Sequence, residues 1–185
     1  MKKLIVWNLV TLDGFFEGAN PWDLDWHNSV YGEELEQLSI AQLKTAGTLV
    51  FGRNTYAGMA SYWLKEKGEV ADLMNRSPKI VFSRSLAQAD WNNTRLVRED
   101  ASAEMARLKR ESGLDYFIFG SSNLISSLQP AGQIDELRLG LVPVILGAGN
   151  PLFKADSRRS QWKLLEARPL KSGCVILRYE PARPA

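Results

Sequence analysis

The chain predicts an α/β fold of three layers: a mixed, mainly parallel central sheet with antiparallel C-terminal strands, and helices on both faces. Three observations carry this. Strand-like runs alternate with helical patterns through the first two-thirds, and several of those runs are unbroken apolar stretches of the kind covered on both faces. From Glu136 onward only strands and turns follow. At 185 residues the chain reads as a single domain, 1–185, with residues 179–185 as a C-terminal tail, and it is long enough to bury a core without disulfide or metal.

The elements follow in order. "KLIVWNLV" (3–10) is a first strand; the lysines before the apolar run imitate a signal peptide, but the run is short, broken by Asn8 and lacks a small-residue cleavage site. Tyr31, Leu35 and Leu38 repeat at helical spacing, and Gly47 is placed as a helix stop. "GTLVFG" (47–52) suits a pleated, buried surface. It breaks at Gly52 and presents Arg53, Asn54 and Thr55 where the chain turns into a helix. "KIVFS" (79–83) and "TRLVRE" (94–99) are further strands. Ala101, Met105 and Leu108 mark a helix with Ser102 as a possible N-cap and Gly113 as its stop. "DYFIFG" (115–120) precedes a short stripe of Leu124, Ile125 and Leu128 that ends at Pro130. "ELRLGLVPVIL" (136–146), "WKLLEARPL" (162–170) and "CVILRYE" (174–180) form the antiparallel ending, and "PARPA" frays. Strand and helix in alternation imply βαβ crossovers.

Composition excludes several classes. Hydrophobic residues at 45% and charged residues at 24% match an ordinary soluble protein. The net charge of +2 comes with basic residues spread along the chain, so no tract is available for nucleic acid or an anionic membrane. No segment reaches the roughly 18 apolar residues of a membrane span, and a cytoplasmic protein is expected. The single cysteine, Cys174, sits in an apolar run and reads as a core thiol. Asp23, Asp25 and His27 alternate without a known ligand spacing, so no metal site is expected.

Ligands of such sheets bind beyond the carboxyl ends of the strands. The dinucleotide fingerprint G-x-G-x-x-G is absent there; "GAGNPL" (147–152) lacks the third glycine and reads as a turn, and there is no P-loop. Three strand ends nevertheless share a chemistry: Gly52-Arg53-Asn54-Thr55, Ser83-Arg84-Ser85, and Gly120-Ser121-Ser122 directly before a helix. Glycine admits a close ligand, free N–H groups at a helix start attract phosphate oxygens, and hydroxyls and guanidinium add donors. Any one of them could be a solvated turn. Three in succession on neighbouring strands point to a phosphate-bearing cofactor.

The ordered set "VFGRNTYAGM", "KIVFSRS", "YFIFGSSNLISSL" and "DELRLGLVPVILGAGNPLF" resembles the dihydrofolate reductase-like superfamily. Within it the chain is similar to the reductase domain of riboflavin biosynthesis and its stand-alone relatives, "LVTLDGFFEG" (9–18) matching that group's Ser-Leu-Asp-Gly opening with threonine for serine. The resemblance runs from Lys3 to Tyr179. It implies an NADPH-dependent reductase that passes a hydride to a small flat heterocycle, pterin-like or pyrimidine-like. It places Gly52, Arg53, Asn54 and Thr55 on the pyrophosphate side of the cofactor, Ser83 and Arg84 around the adenosine 2′-phosphate, and the turn Gly120, Ser121, Ser122, Asn123 on the pyrophosphate. The Leu9 to Gly14 segment, including Val10 and Gly14, lies near the nicotinamide in this reading. A homodimer built on the apolar strands of the final third is a further implication.

Candidate acids are Asp13, which also suits a turn-shaping role, and Glu34 on the first helix, where Glu33, Glu36 and the preceding Asp25 are alternatives and a solvated helix charge is the bland reading. "NPWDLDWHNSVY" (20–31) holds Trp22 and Trp26, either as a loop closing over a flat heterocycle or as one pinned by its tryptophans. Phe15 and Phe16 follow Asp13-Gly14 where the riboflavin-pathway enzymes carry a basic residue, which suggests an apolar rim. The alternatives are the ribosylaminopyrimidine phosphate reductase of riboflavin biosynthesis and a catalytically silent nucleotide-binding sensor.

Overall fold

The computed structural model describes residues 1–155 and 157–182. Its centre is an eight-stranded sheet in the order β5-β4-β3-β6-β1-β7-β10-β9. The strands are β1 (Leu4–Thr11), β3 (Ala46–Gly52), β4 (Lys79–Phe82), β5 (Thr94–Val97), β6 (Asp115–Phe119), β7 (Glu136–Val142), β9 (Trp162–Pro169) and β10 (Val175–Pro181). Two short strands, β2 (Phe15–Glu17) and β8 (Asn150–Pro151), pair separately. All pairings from β5 to β7 are parallel, and β10 and β9 add antiparallel. The antiparallel part thus begins after β7, not with it as the composition of the last third suggested.

The crossovers explain the layers. Chain moving from β1 to β3 and on to β4 passes through α1 (Glu33–Thr45), α2 (Arg53–Trp63) and α3 (Glu69–Arg76) on one face; chain returning from β5 to β6 and β7 passes through α4 (Ala101–Leu108) and α5 (Ser122–Leu128) on the other. Right-handed crossovers running in opposite directions must lie on opposite faces. β1 therefore buries Ile5 and Trp7 on the α1 side and Leu4, Val6 and Val10 on the α5 side, which is why its sequence is nearly continuous in apolar residues.

Two local expectations change. α1 ends at Thr45 and the chain enters β3 at once, so Gly47 lies inside the strand and does not stop the helix. Its role is close approach: a Cβ there would fall 2.7 Å from the Leu114 Cβ. The N-cap of α4 is Asp100, whose carboxylate accepts from the Ala103 N–H at 2.9 Å, two residues before the expected Ser102. α3, whose Val70, Ala71, Leu73 and Met74 are buried, and the β2–β8 pair went unanticipated. Residues 183–185 of the expected tail, like Asp156, lie outside the described residues.

Candidate functional site

The sheet parts where β6 ends. β1 pairs with β6 only as far as Trp7 with Phe119, yet continues beside β7 to Thr11 with Val142. The strand order reverses at this gap, the position where open α/β sheets bind ligands. A cleft of about 730 Å³ opens there, of the size that small-molecule sites occupy.

One half of the cleft is built from strand ends. Gly52 to Thr55 and Gly120 to Asn123 both line it. The Gly52 N–H donates to Ser121 Oγ at 2.8 Å, which ties β3 to β6, and the Gly120 N–H donates to Asn8 Oδ1 at 2.9 Å, which ties β6 to β1. Gly120 and Ser121 both have left-handed backbone, φ +61° and +64°. A Cβ on Gly120 would lie 2.9 Å from Thr55 Cγ2, so glycine is required on both counts. Among the described residues no side chain caps the first turn of α2, whose Gly52 start opens into the cleft. Arg53 Nη1 donates to Ser85 Oγ at 2.7 Å and so joins the second strand end to the first. Lys154 Nζ bonds Asn123 Oδ1 and adds a cation near the third strand end.

Ser83 and Arg84 do not line the cleft. The Ser83 hydroxyl accepts from the Ser85 and Leu86 N–H groups, and Arg98 donates to the Arg84, Leu86 and Ala87 carbonyls, so this turn is an Arg98-braced shelf beside Arg53. Val10 is buried in the α5-side core, and Gly14 makes a turn at φ +86° whose carbonyl accepts from Leu152 N–H; neither lines the cleft.

The other half is apolar. Trp7, Leu9, Tyr31, Leu35, Leu43, Met59, Trp63, Val70, Met74 and Phe119 wall it. α1 presents Leu35, Ser39 and Leu43 along one stripe, and Glu34 points elsewhere: its Oε2 accepts from the Lys171 N–H at 2.7 Å in a separate groove. Asp13 is also outside the cleft. Its carboxylate accepts from Thr11 Oγ1 at 2.6 Å and from the Leu146 and Gly147 N–H groups at 3.1 and 2.8 Å. The Thr11 hydrogen bond, aided by those amides, holds Asp13 below the usual carboxylate range. Both assigned acids are thereby structural ties, Asp13 of its turn and Glu34 of the helix to the β9–β10 turn.

Trp22 lines the cleft in a left-handed conformation, φ +65°, with its N–H on Glu17 Oε1. Its indole lies over Gly58 of α2, where a Cβ would fall 1.6 Å from Cε2. Trp26 does not line it; it is core, edge-on to His27 with ring centroids 4.3 Å apart. Phe15 turns the other way, toward Gly149, and Phe16 lines the cleft, as the period of two along β2 demands. Of the expected apolar rim, Phe16 is the member in the cleft; unforeseen wall residues are Asn8, Glu17, His27 and Asn150. Burial pushes the His27 imidazole down to about 4, so it is neutral at ordinary pH. Among the described residues no cluster of three His, Cys, Asp or Glu could hold a metal, and no helix is long and apolar enough to cross a membrane.

The profile of the RibD C-terminal domain matches residues 2–176. The chain belongs to the RibD C-terminal domain family. Within reach of this family member is the Bacillus subtilis uncharacterised protein YyaP, 30% identical over 187 residues that cover 96% of this chain and 94% of that one. Among solved structures, a riboflavin biosynthesis protein, so described, from Shewanella sp. PV-4 superposes with a TM-score of 0.82 at 21% identity, covering 98% of this chain and 99% of that one. The Thermotoga maritima diaminohydroxyphosphoribosylaminopyrimidine deaminase/5-amino-6-(5-phosphoribosylamino)uracil reductase gives 0.70 at 15% identity, with 98% of this chain aligned to 57% of that longer one. The dihydrofolate reductase of Enterococcus faecalis, complexed with NADP(H), gives 0.65 at 17% identity over 98% of this chain and 97% of that one. The fold of this RibD C-terminal domain is thus dihydrofolate reductase-like.

Proposed function

We propose that the cleft binds NADPH and that the protein is a reductase acting on a small flat heterocycle of the pyrimidine kind. The observation that supports this is one continuous cleft joining a donor-rich half to an apolar half at the parting of β6 and β1. Gly52, Arg53, Asn54 and Thr55 with Ser121, Ser122 and Asn123 would hold the pyrophosphate, and Arg53 with the Ser83–Ser85 shelf and Arg84 would meet the 2′-phosphate. The uncapped start of α2 and the Gly120 cradle against Thr55 fit such a group. When bound, the nicotinamide supplies the hydride. The chain would orient it, with Trp7, Leu9 and Phe119 excluding water and Trp22, packed on Gly58, adding an aromatic wall.

A pyrimidine is favoured over a pterin because the α1 stripe facing the cleft carries Ser39 between leucines and no carboxylate to pair with a protonated ring. The family match favours the specific reading as 5-amino-6-(5-phosphoribosylamino)uracil reductase. Copies of the chain would pair through the final third, where β9 is an edge strand with Leu164 and Leu165 exposed.

Calorimetry with NADPH followed by single-turnover oxidation at the nicotinamide absorbance tests this. Oxidation is expected with the ribosylaminopyrimidine phosphate or its dephosphorylated nucleoside, and not with dihydropterin. Uptake of NADPH without oxidation by any of these would instead support a sensor. No uptake would remove the cofactor reading.

A further inference from the structure

We infer that Asn8 is a specificity-determining residue that donates a hydrogen bond to a neutral carbonyl oxygen of the molecule held in the cleft; this rests on the proposed function. Asn8 is 7% exposed and lines the cleft. The Gly120 N–H donates to its side chain at 2.9 Å, and since only the oxygen of the amide accepts, Oδ1 and Nδ2 are thereby told apart. Nδ2 is buried and has no hydrogen-bond partner among the described residues.

The position along β1 explains this state. Trp7 is the last residue of β1 paired with β6, whereas Asn8 pairs only toward β7, opposite Leu139. Its side chain therefore stands where the sheet opens, between the donor-rich and apolar halves. A buried amide donor without an acceptor is costly, and a ligand oxygen that accepts from it removes that cost on binding. Trp7, Leu9 and Phe119, neighbours of Asn8 along β1 and at the end of β6, line the same cleft. A neutral carbonyl meets this uncharged donor without the cost of desolvating an ion, so it is the acceptor we assign. Two ligands of the proposed reaction carry one: the nicotinamide carboxamide and the uracil-type ring.

Asn8→Asp separates the roles. A side chain of the same shape still accepts from the Gly120 N–H but no longer offers the amide donor. Thermal melting checks the fold, and calorimetry is run with three probes: ADP-ribose 2′-phosphate, which lacks the nicotinamide; NADPH; and 5-aminouracil added to the NADP⁺-loaded protein. Asn8→Leu, which removes the donor without adding a carboxyl, is measured in parallel. For both variants the affinity for ADP-ribose 2′-phosphate sets the baseline, because Asn8 Oδ1 also holds the Gly120 N–H of the cradle, and losses toward the other probes are counted beyond it. Both variants are expected to lose at least tenfold toward NADPH if the carboxamide is the partner, or toward 5-aminouracil if the substrate is. Wild-type affinity of both variants for both carbonyl-bearing probes overturns the inference. Failure of the wild type to bind any nucleotide overturns the reading of the cleft itself, a result that the wild-type titration alone reports.

Discussion

His27 couples the cleft to pH. Its imidazole is pushed to about 4 by burial, against an ordinary value of 6.5. Between those values the unfolded chain binds the extra proton and the folded one does not, so stability falls as pH drops from about 6.5 to about 4. The loss should approach about 3 kcal/mol at the lower end. Urea unfolding at pH 7 and pH 4.5 should show a smaller difference for His27→Gln than for the wild type. Cys174, fully buried, has its thiol pushed up to about 11, so an alkylating reagent should modify it only under unfolding conditions. Some residue roles were legible in the chain. Cys174 as a core thiol and Asp13 as a turn-shaper both follow from local context. Asn8 was visible as the break in an apolar run, but its use depends on Gly120, which lies 112 positions away. Phe15 and Phe16 could not be told apart without knowing which face β2 turns to the cleft.

At the scale of elements, long-range contacts replaced local signals. Gly47 looks like a helix stop in sequence, and only the Leu114 backbone against it shows a strand packed too closely for a side chain. α3 is short, with only half of its residues apolar, but its end is held by the buried Lys79, whose Nζ donates to the Asn75, Ser77 and Asn92 carbonyls and lies 4.4 Å from the Trp91 ring. Lys79→Met keeps the volume and strands those carbonyls, and should cost about 1–3 kcal/mol in denaturant unfolding. Gly58→Ala separates helix propensity from the Trp22 contact. The substitution gains roughly 0.5–1 kcal/mol of helix propensity but places a methyl inside the Trp22 indole's position. The variant should stay folded while its 18–24 segment is cleaved faster by protease and its tryptophan emission shifts to the red.

For the whole molecule, the site is a consequence of strand order. β1 lies between β6 and β7, and the crossovers leave in opposite directions around it, which opens a crevice at the strands' carboxyl ends. The proposed cofactor site is then testable by charge: Arg53→Ala should weaken NADPH binding by about 10- to 150-fold, as expected for a charge-assisted bond of about 1.5–3 kcal/mol. An equal effect on NADH would assign Arg53 to the pyrophosphate, and a larger effect on NADPH to the 2′-phosphate. Pairing through the edge strand β9 should appear as a dimer in sedimentation at micromolar concentration, and Leu164→Lys should return it to monomer. A wild-type monomer at that concentration would remove the proposed pairing.

Periodicity and punctuation in the sequence were enough to determine the α/β class, the main parallel strands and the three donor-rich strand ends, because these depend on residues within a few positions of one another. Which side chains share the cleft was decided by the tertiary structure. Strand order, the early end of β6 and the facing of each helix bring Asn8, His27 and Trp22 to one cleft and carry Asp13 and Glu34 away from it. Those placements arise from contacts between segments far apart in the chain, which no local pattern encodes.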